Sequence, residues 1–131
     1  MPDKSNYVAL VVEDERPLAQ VIQKKMEKSG FETVLARSVD QALGYMEDLP
    51  KIDVIWLDHY LIGEGTGLDF VEKLKHNTKW KAIPIFVVSN TATQAKVHSY
   101  IDLGVTKYYT KSDARLDQIV TEINKVLQKN G

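Results

Sequence analysis

The sequence predicts a doubly wound α/β domain, a five-stranded parallel sheet with helices on both faces. Three observations carry the prediction. Strand-like apolar runs and helix-period stretches alternate five times along the chain, the pattern of βα units joined by right-handed crossovers. The runs Tyr7–Val12, Val54–Leu57 and Ile85–Val88 lack the polar alternation of a half-exposed strand, so each is expected to be covered on both faces. Each run then exits into polar side chains, Glu13-Asp14, Asp58 and Ser89, and the carboxyl ends of strands are where open parallel sheets place their chemistry.

Taken in order, polar Met1–Asn6 reads as a frayed end, and Tyr7–Val12 as the first buried strand. Pro17 suits the first turn of a helix, and Leu18, Val21, Ile22 and Met26 recur at helical spacing up to a stop at Gly30. Phe31–Ala36 is a shorter strand. Ser38 with Gln41 reads as a capping box for a helix that turns Val39, Ala42, Leu43 and Met46 inward. Pro50 closes that unit ahead of Asp53–Asp58. A loop with Gly63, Gly65 and Gly67 leads to a third helix with Leu68, Val71 and Leu74 inside. Pro84 opens the fourth strand. Thr91 with Gln94 reads as a second capping box, for a weakly amphipathic helix bearing Ala95, Val97, Tyr100 and Ile101 and ending at Gly104. Val105–Thr110, polar for a core strand, is expected at a sheet edge or flanked by exposed helices. Ser112 reads as the cap of the last helix, whose Leu116, Ile119, Val120, Ile123 and Leu127 form the clearest apolar stripe.

Composition removes several function classes. The chain has 131 residues, the size of one domain, with 44% hydrophobic and 27% charged residues. A net charge of −1, from 17 basic and 18 acidic residues, gives no footprint for direct nucleic-acid or membrane binding. Apolar runs are too short for a membrane span or a signal-peptide core, which places the protein in the cytoplasm. Cysteine is absent, and His59, His76 and His98 are too far apart in sequence for a zinc motif.

In the predicted sheet Glu13, Asp14, Asp58, Ser89 and Lys111 converge at the carboxyl edge. Three crowded carboxylates repel one another, and a hard cation relieves that repulsion. An all-oxygen donor set points to magnesium, which favours carboxylates, water and substrate phosphate. Lys111 and Ser89 add a positive charge and a hydroxyl suited to an anionic oxygen. Together these groups fit phosphoryl transfer to Asp58. The plainer alternatives are a helix N-terminus for Glu13-Asp14-Glu15, a loop cap for Asp58, an N-cap for Ser89, a surface lysine for Lys111 and simple packing for Tyr108, with His59 an exposed loop residue and Trp56 and Trp80 core or half-buried.

Glu13-Asp14 after Val11-Val12, Asp58 after Ile55-Trp56-Leu57, Ser89 after Val87-Val88, Lys111, and the turn Leu103-Gly104-Val105 together resemble a two-component response-regulator receiver domain of the single-domain, chemotaxis-regulator type. The resemblance covers roughly residues 6–129 and implies one receiver domain over 1–131, flavodoxin-like, with strand order 2-1-3-4-5. It implies that Asp58 takes a phosphoryl group from a histidine kinase or histidine phosphotransfer protein. Asp14, Asp58 and the carbonyl of Tyr60 would ligate magnesium, with Glu13 acting largely through water. Ser89 and Lys111 would hold phosphoryl oxygens. Ser89 and Tyr108 would form the switch, changing the partner preference of the face made by the fourth helix, fifth strand and fifth helix. The protein would be a monomer or weak dimer and no enzyme beyond its own phosphorylation and dephosphorylation.

The sequence departs from that pattern at four places. Ser112 replaces a proline that often follows the lysine through a cis bond, Ile62 replaces another proline, Asn90 is larger than the usual residue, and the Gly63–Gly67 loop is one residue longer. Tyr60 and Thr91, two residues beyond Asp58 and Ser89, face the entrance, so Tyr60 is expected to shield the acyl phosphate and lengthen its life. The competing functions are a degenerate receiver that binds partners without phosphate, a magnesium-dependent phosphohydrolase with Asp58 as nucleophile, and a flavodoxin-like cofactor binder. The intact acids with Ser89 and Lys111 oppose the first, Tyr60 in place of a second acid–base carboxylate opposes the next, and the acidic exit of the first strand opposes the last.

Overall fold

The computed structural model describes residues 7–130, and of Asn130 only the backbone. The frayed end expected for Met1–Asn6 lies outside the described residues. Five strands alternate with five helices: β1 (Val8–Val12), α1 (Arg16–Lys28), β2 (Glu32–Ala36), α2 (Val39–Asp48), β3 (Val54–Leu57), α3 (Gly67–Lys75), β4 (Ile85–Ser89), α4 (Gln94–Asp102), β5 (Lys107–Thr110) and α5 (Leu116–Asn130). The strands form one sheet in the order β2-β1-β3-β4-β5, all parallel. The alternation implied a parallel sheet covered on both faces, and the strand order is the flavodoxin-like one that the resemblance implied.

Period-two alternation of the strand side chains splits the core in two. Leu10, Val12, Ile55, Leu57, Ile85 and Val87 face α2, α3 and α4, meeting Ala42, Met46, Phe70, Leu74 and Tyr100. Ala9, Val11, Val54, Trp56, Phe86 and Val88 face α1 and α5, meeting Ile22, Met26, Ile119, Ile123 and Leu127. The central strands β3 and β4 are buried at every position, whereas edge strand β5 is exposed or half-buried throughout.

Several local expectations are corrected. Val21, grouped with the inward residues of α1, is 51% exposed, and Ala19 is buried in that helix. Ser38 caps α2 by accepting from the Gln41 N–H, but the box does not close, because the Gln41 amide oxygen takes the Arg37 N–H at 2.8 Å. Thr91 does not cap α4: its hydroxyl and carbonyl are taken by Lys96 and Tyr108, and Thr93 caps the helix through the Lys96 N–H. Ser112 does not cap α5 either. The chain first closes a turn in which the N–H groups of Asp113 and Ala114 donate to the Thr110 carbonyl, and the helix starts at Leu116. The complete capping box in the chain's described part belongs to Thr66 and Asp69 at α3. Its signal, Thr followed three residues on by an acid, is present in the sequence. In α4 only Tyr100 is buried, and Ile101 is 48% exposed.

Candidate functional site

The parallel register brings the strand exits level. Val12 pairs with Leu57, Leu57 with Val87, and Ser89 with Thr110. One residue beyond, the Asp58 N–H donates to the Val12 carbonyl at 3.0 Å and the Lys111 N–H to the Ser89 carbonyl at 2.8 Å. Backbone pairing alone therefore delivers Glu13, Asp14, Asp58, Ser89 and Lys111 to one edge.

The side chains meet there. Lys111 Nζ lies 3.1 Å from Asp58 Oδ2 and 3.1 Å from Glu13 Oε1. Asp58, 4% exposed, also accepts the His59 N–H on Oδ1 at 2.7 Å, and Glu13 Oε2 accepts the Glu15 N–H at 3.1 Å. Oxygens of Glu13, Asp14 and Asp58 lie within 4.8 Å of one another. Burial, reinforced by the negative charge of Asp58, pushes the Glu13 carboxyl up to about 7, against the pull of Lys111. Burial works against the Lys111 ammonium, but the carboxylates of Asp58 and Glu13 outweigh it and hold its pKa above the ordinary lysine value. Ser89 is fully buried, and its Oγ has no hydrogen-bond partner among the described residues. An orphaned hydroxyl costs roughly 1–3 kcal/mol, so the site carries one donor in excess.

That donor set fits a hard cation with an anionic oxygen: three clustered carboxylates, no sulfur, an ammonium and a spare hydroxyl. Asp14 is placed by Arg37, whose Nε donates to the Asp14 carbonyl at 3.2 Å across from the end of β2. Nothing in the sequence marked Arg37 for this, because the contact spans 23 positions.

The loop after Asp58 is held more firmly than its glycines suggested. Ile62, at a place expected to suit proline, donates its N–H to the Arg37 carbonyl at 3.2 Å, a bond proline lacks. Gly67, the first residue of α3, packs so closely that a Cβ there would lie 2.6 Å from the Asp58 carbonyl oxygen and 2.7 Å from the Tyr100 hydroxyl. His59 is half-buried rather than exposed, and its Nδ1 meets the Tyr100 hydroxyl at 2.6 Å. Burial, with the nearby positive charge of Lys96, lowers its pKa. Among the described residues every peptide bond is trans, Lys111–Ser112 included.

Tyr108 and Tyr109 part to opposite sides of β5. Tyr108 joins the α2–α3–α4 core, stacks obliquely on Tyr100 with centroids 5.6 Å apart, and donates its hydroxyl to the Thr91 carbonyl. Tyr109 turns to the α1–α5 side and donates to Glu122. Tyr60 is 51% exposed at the mouth, and its hydroxyl accepts from Lys96 Nζ at 2.9 Å. Trp56 lies in the core and Trp80 is half-buried, as expected.

The chain has relatives among known proteins and solved structures. The phosphate regulon transcriptional regulatory protein PhoB of Klebsiella pneumoniae is 30% identical over 92% of this chain and 51% of its own length, so the chain spans about half of that relative. Chemotaxis protein CheY1 of Helicobacter pylori is 27% identical over 78% of this chain and 82% of its own length. Among solved structures, the Mn(2+)-bound form of response regulator Rcp1 superposes with a TM-score of 0.79 at 26% identity, covering 91% and 92% of the two chains. The phosphorylated cyanobacterial phytochrome response regulator RcpA gives 0.83 at 25% identity, covering 96% of each. The sequence pattern of the response regulator receiver domain matches residues 9–124, and with the carboxylates, lysine and orphaned serine gathered at the sheet edge, the chain belongs to that family, the receiver domains of two-component systems.

Proposed function

We propose that this chain is a phosphoacceptor signalling unit, a single receiver domain over residues 1–131 that takes a phosphoryl group on Asp58 from a histidine kinase or histidine phosphotransfer protein. The observation that carries the reading is the ammonium of Lys111 placed 3.1 Å from both Asp58 and Glu13. In the transfer, the P–N bond of the donor phosphohistidine breaks with its electron pair left on the imidazole. The new P–O bond forms to an Asp58 carboxylate oxygen. Lys111 and the spare Ser89 hydroxyl hold phosphoryl oxygens as that bond forms, and positioned charge is most of what such a transfer needs.

Glu13, Asp14 and Asp58, with the carbonyl of Tyr60, would hold magnesium, which when bound neutralises charge on the phosphoryl oxygens. The manganese carried by Rcp1 supports a divalent-cation role for such a site. Once the phosphoryl group engages Ser89, the β4–α4 loop is drawn toward Asp58. That loop is tied to Tyr108 through the Thr91 carbonyl. Ser89 and Tyr108 thereby relay the change to the α4–β5–α5 face, which selects a downstream protein. The domain works in the cytoplasm as a monomer or weak dimer, with catalysis limited to its own phosphorylation and dephosphorylation.

Incubation with acetyl phosphate and magnesium is expected to add the mass of one phosphoryl group. Asp58→Asn or chelation of the metal abolishes the gain. Rapid multiple turnover of phosphate esters would instead support a phosphohydrolase. Partner binding unaffected by Asp58→Asn would support a phosphate-independent binding module.

A further inference from the structure

The exits of β3 and β4 are joined by a contact that the acceptor chemistry does not use. Lys96, in the first turn of α4, sends its ammonium to the Tyr60 hydroxyl at 2.9 Å and to Thr91 Oγ1 at 2.7 Å, and the same nitrogen lies 4.5 Å from the Tyr60 ring centroid. Tyr60 follows Asp58 by two residues and Thr91 follows Ser89 by two, so the lysine spans the two loops that flank the acceptor carboxylate. Its hydrogen bond to the Tyr60 phenol, followed by the contribution of Thr91, lowers that group's pKa, against the opposing charge of Asp58.

The helix carrying this lysine has a second tie to the same segment. Tyr100, one turn further along α4, is fully buried, and its hydroxyl meets His59 Nδ1 at 2.6 Å. Residues at i and i+4 lie on one helix face. Lys96 and Tyr100 thus grip consecutive residues, Tyr60 and His59, of the segment following Asp58. Lys96 is held at three points, and its helix meets the same segment again through Tyr100, which sets it apart from a solvated surface lysine free to sample many rotamers.

We propose that Lys96 is a positioning residue that clasps Tyr60 and Thr91 across the mouth of the site and limits the access of water and small phosphodonors to Asp58. The inference rests on the reading of Asp58 as phosphoacceptor. An open mouth admits water to the acyl phosphate, where the water oxygen bonds to phosphorus and gives up a proton to solvent, the P–O bond to Asp58 breaks, and the carboxylate leaves with the electron pair.

The test compares wild type with Lys96→Met, which keeps the apolar stem and removes the charge, and with Lys96→Arg, which can still bridge two oxygens. With acetyl phosphate and magnesium, Lys96→Met is expected to speed both phosphorylation and subsequent hydrolysis by about fivefold, the scale of one hydrogen bond's net contribution. Lys96→Arg should stay near the wild-type rates. If Lys96 instead merely attracted anionic donors, Lys96→Met would slow phosphorylation, and that outcome overturns the clasp. Equal rates in a wild type and variant that both take up phosphate overturn it as well, leaving the acceptor role of Asp58 intact. A wild type that takes up no phosphate overturns both. Independently of phosphate, proton NMR should place the Lys96 ε-methylene upfield, with cross-peaks to the Tyr60 ring, and absence of those signals removes the clasp outright.

Discussion

Helices α4 and α5 flank the same edge strand, yet they are attached by different physics. α5 lays Ile119, Val120, Ile123 and Leu127 into the core, all buried, beneath Trp56 and Phe86. α4 buries one side chain, Tyr100, and its other attachments are polar: Lys96 to Tyr60 and Thr91, and the Tyr100 hydroxyl to His59. Apolar burial is non-directional and is lost only by separating the surfaces. Hydrogen bonds can be exchanged for others with little net change in free energy. α5 therefore behaves as a wall, and α4 as a part whose seat depends on the groups just past Asp58 and Ser89. Such an element can answer a change of charge at the site.

The largest predicted difference follows from that contrast. Ile123→Ala in α5 leaves a cavity between helix and sheet and should cost about 2–5 kcal/mol in urea unfolding. Ile101→Ala in α4, at a position 48% exposed, should stay within about 0.5 kcal/mol. Comparable losses from the two changes would mean that α4 is packed as a wall after all.

This contrast was partly legible in the sequence. The stripe Ile119, Val120, Ile123, Leu127 and the weak amphipathicity of α4 are both local patterns, as are the apolar runs that became β1, β3 and β4. The five site residues could be gathered because backbone pairing alone aligns strand exits. The attachments of α4 could not. Lys96 reaches a tyrosine 36 positions away, and Tyr100 a histidine 41 positions away, through loop conformations that no short-range pattern encodes. The capping errors have the same origin. Thr91 and Thr93 are equally able caps by residue type, and Thr91 loses because Lys96 and Tyr108 claim its oxygens. Gly67 was visible as a loop glycine, but the close approach that requires it was not.

Gly67 supplies the next test. A Cβ 2.6 Å from a backbone oxygen and 2.7 Å from the Tyr100 hydroxyl cannot be accommodated without movement of the acceptor loop or of Tyr100. Gly67→Ala should cost about 1–3 kcal/mol, the usual penalty for overpacking. It should also loosen α4, seen as faster amide exchange near Tyr100 while the α5 amides keep their protection. Equal loosening of both helices would break the comparison.

A smaller effect is expected from Tyr100→Phe. The ring stays in the core and against Tyr108, and only the hydroxyl that meets His59 is removed. The loss should be about 1 kcal/mol, the net contribution of one hydrogen bond. Its signature would be a shift of the His59 ring resonances with the α5 methyl resonances unchanged. A loss above about 3 kcal/mol would show that the hydroxyl supports more than the seat of α4.

The smallest effect concerns a titratable tether on the α5 side. Tyr109 donates its hydroxyl to Glu122, and Lys107 Nζ lies 3.3 Å from the same carboxylate. The Tyr109 bond, and then Lys107, hold the Glu122 carboxyl below its ordinary value. Burial, with the bond to Glu122, holds the Tyr109 phenol above its own. A depressed carboxyl pKa contributes stability that is present above the unfolded value, about 4.3, and is lost as pH falls through the folded one. Acid should therefore weaken this tether below about pH 4.3 by no more than about 1 kcal/mol, since the carboxylate is partly exposed to screening solvent. Glu122→Gln should remove that part of the pH dependence. The matching tether on the α4 side, from Tyr108 to the Thr91 carbonyl, has an acceptor that does not titrate. Below that pH the Tyr109 ring resonances should shift while those of Tyr108 hold. Joint movement of both would mean that the two faces of β5 share one attachment, and that α4 cannot move unless α5 moves with it.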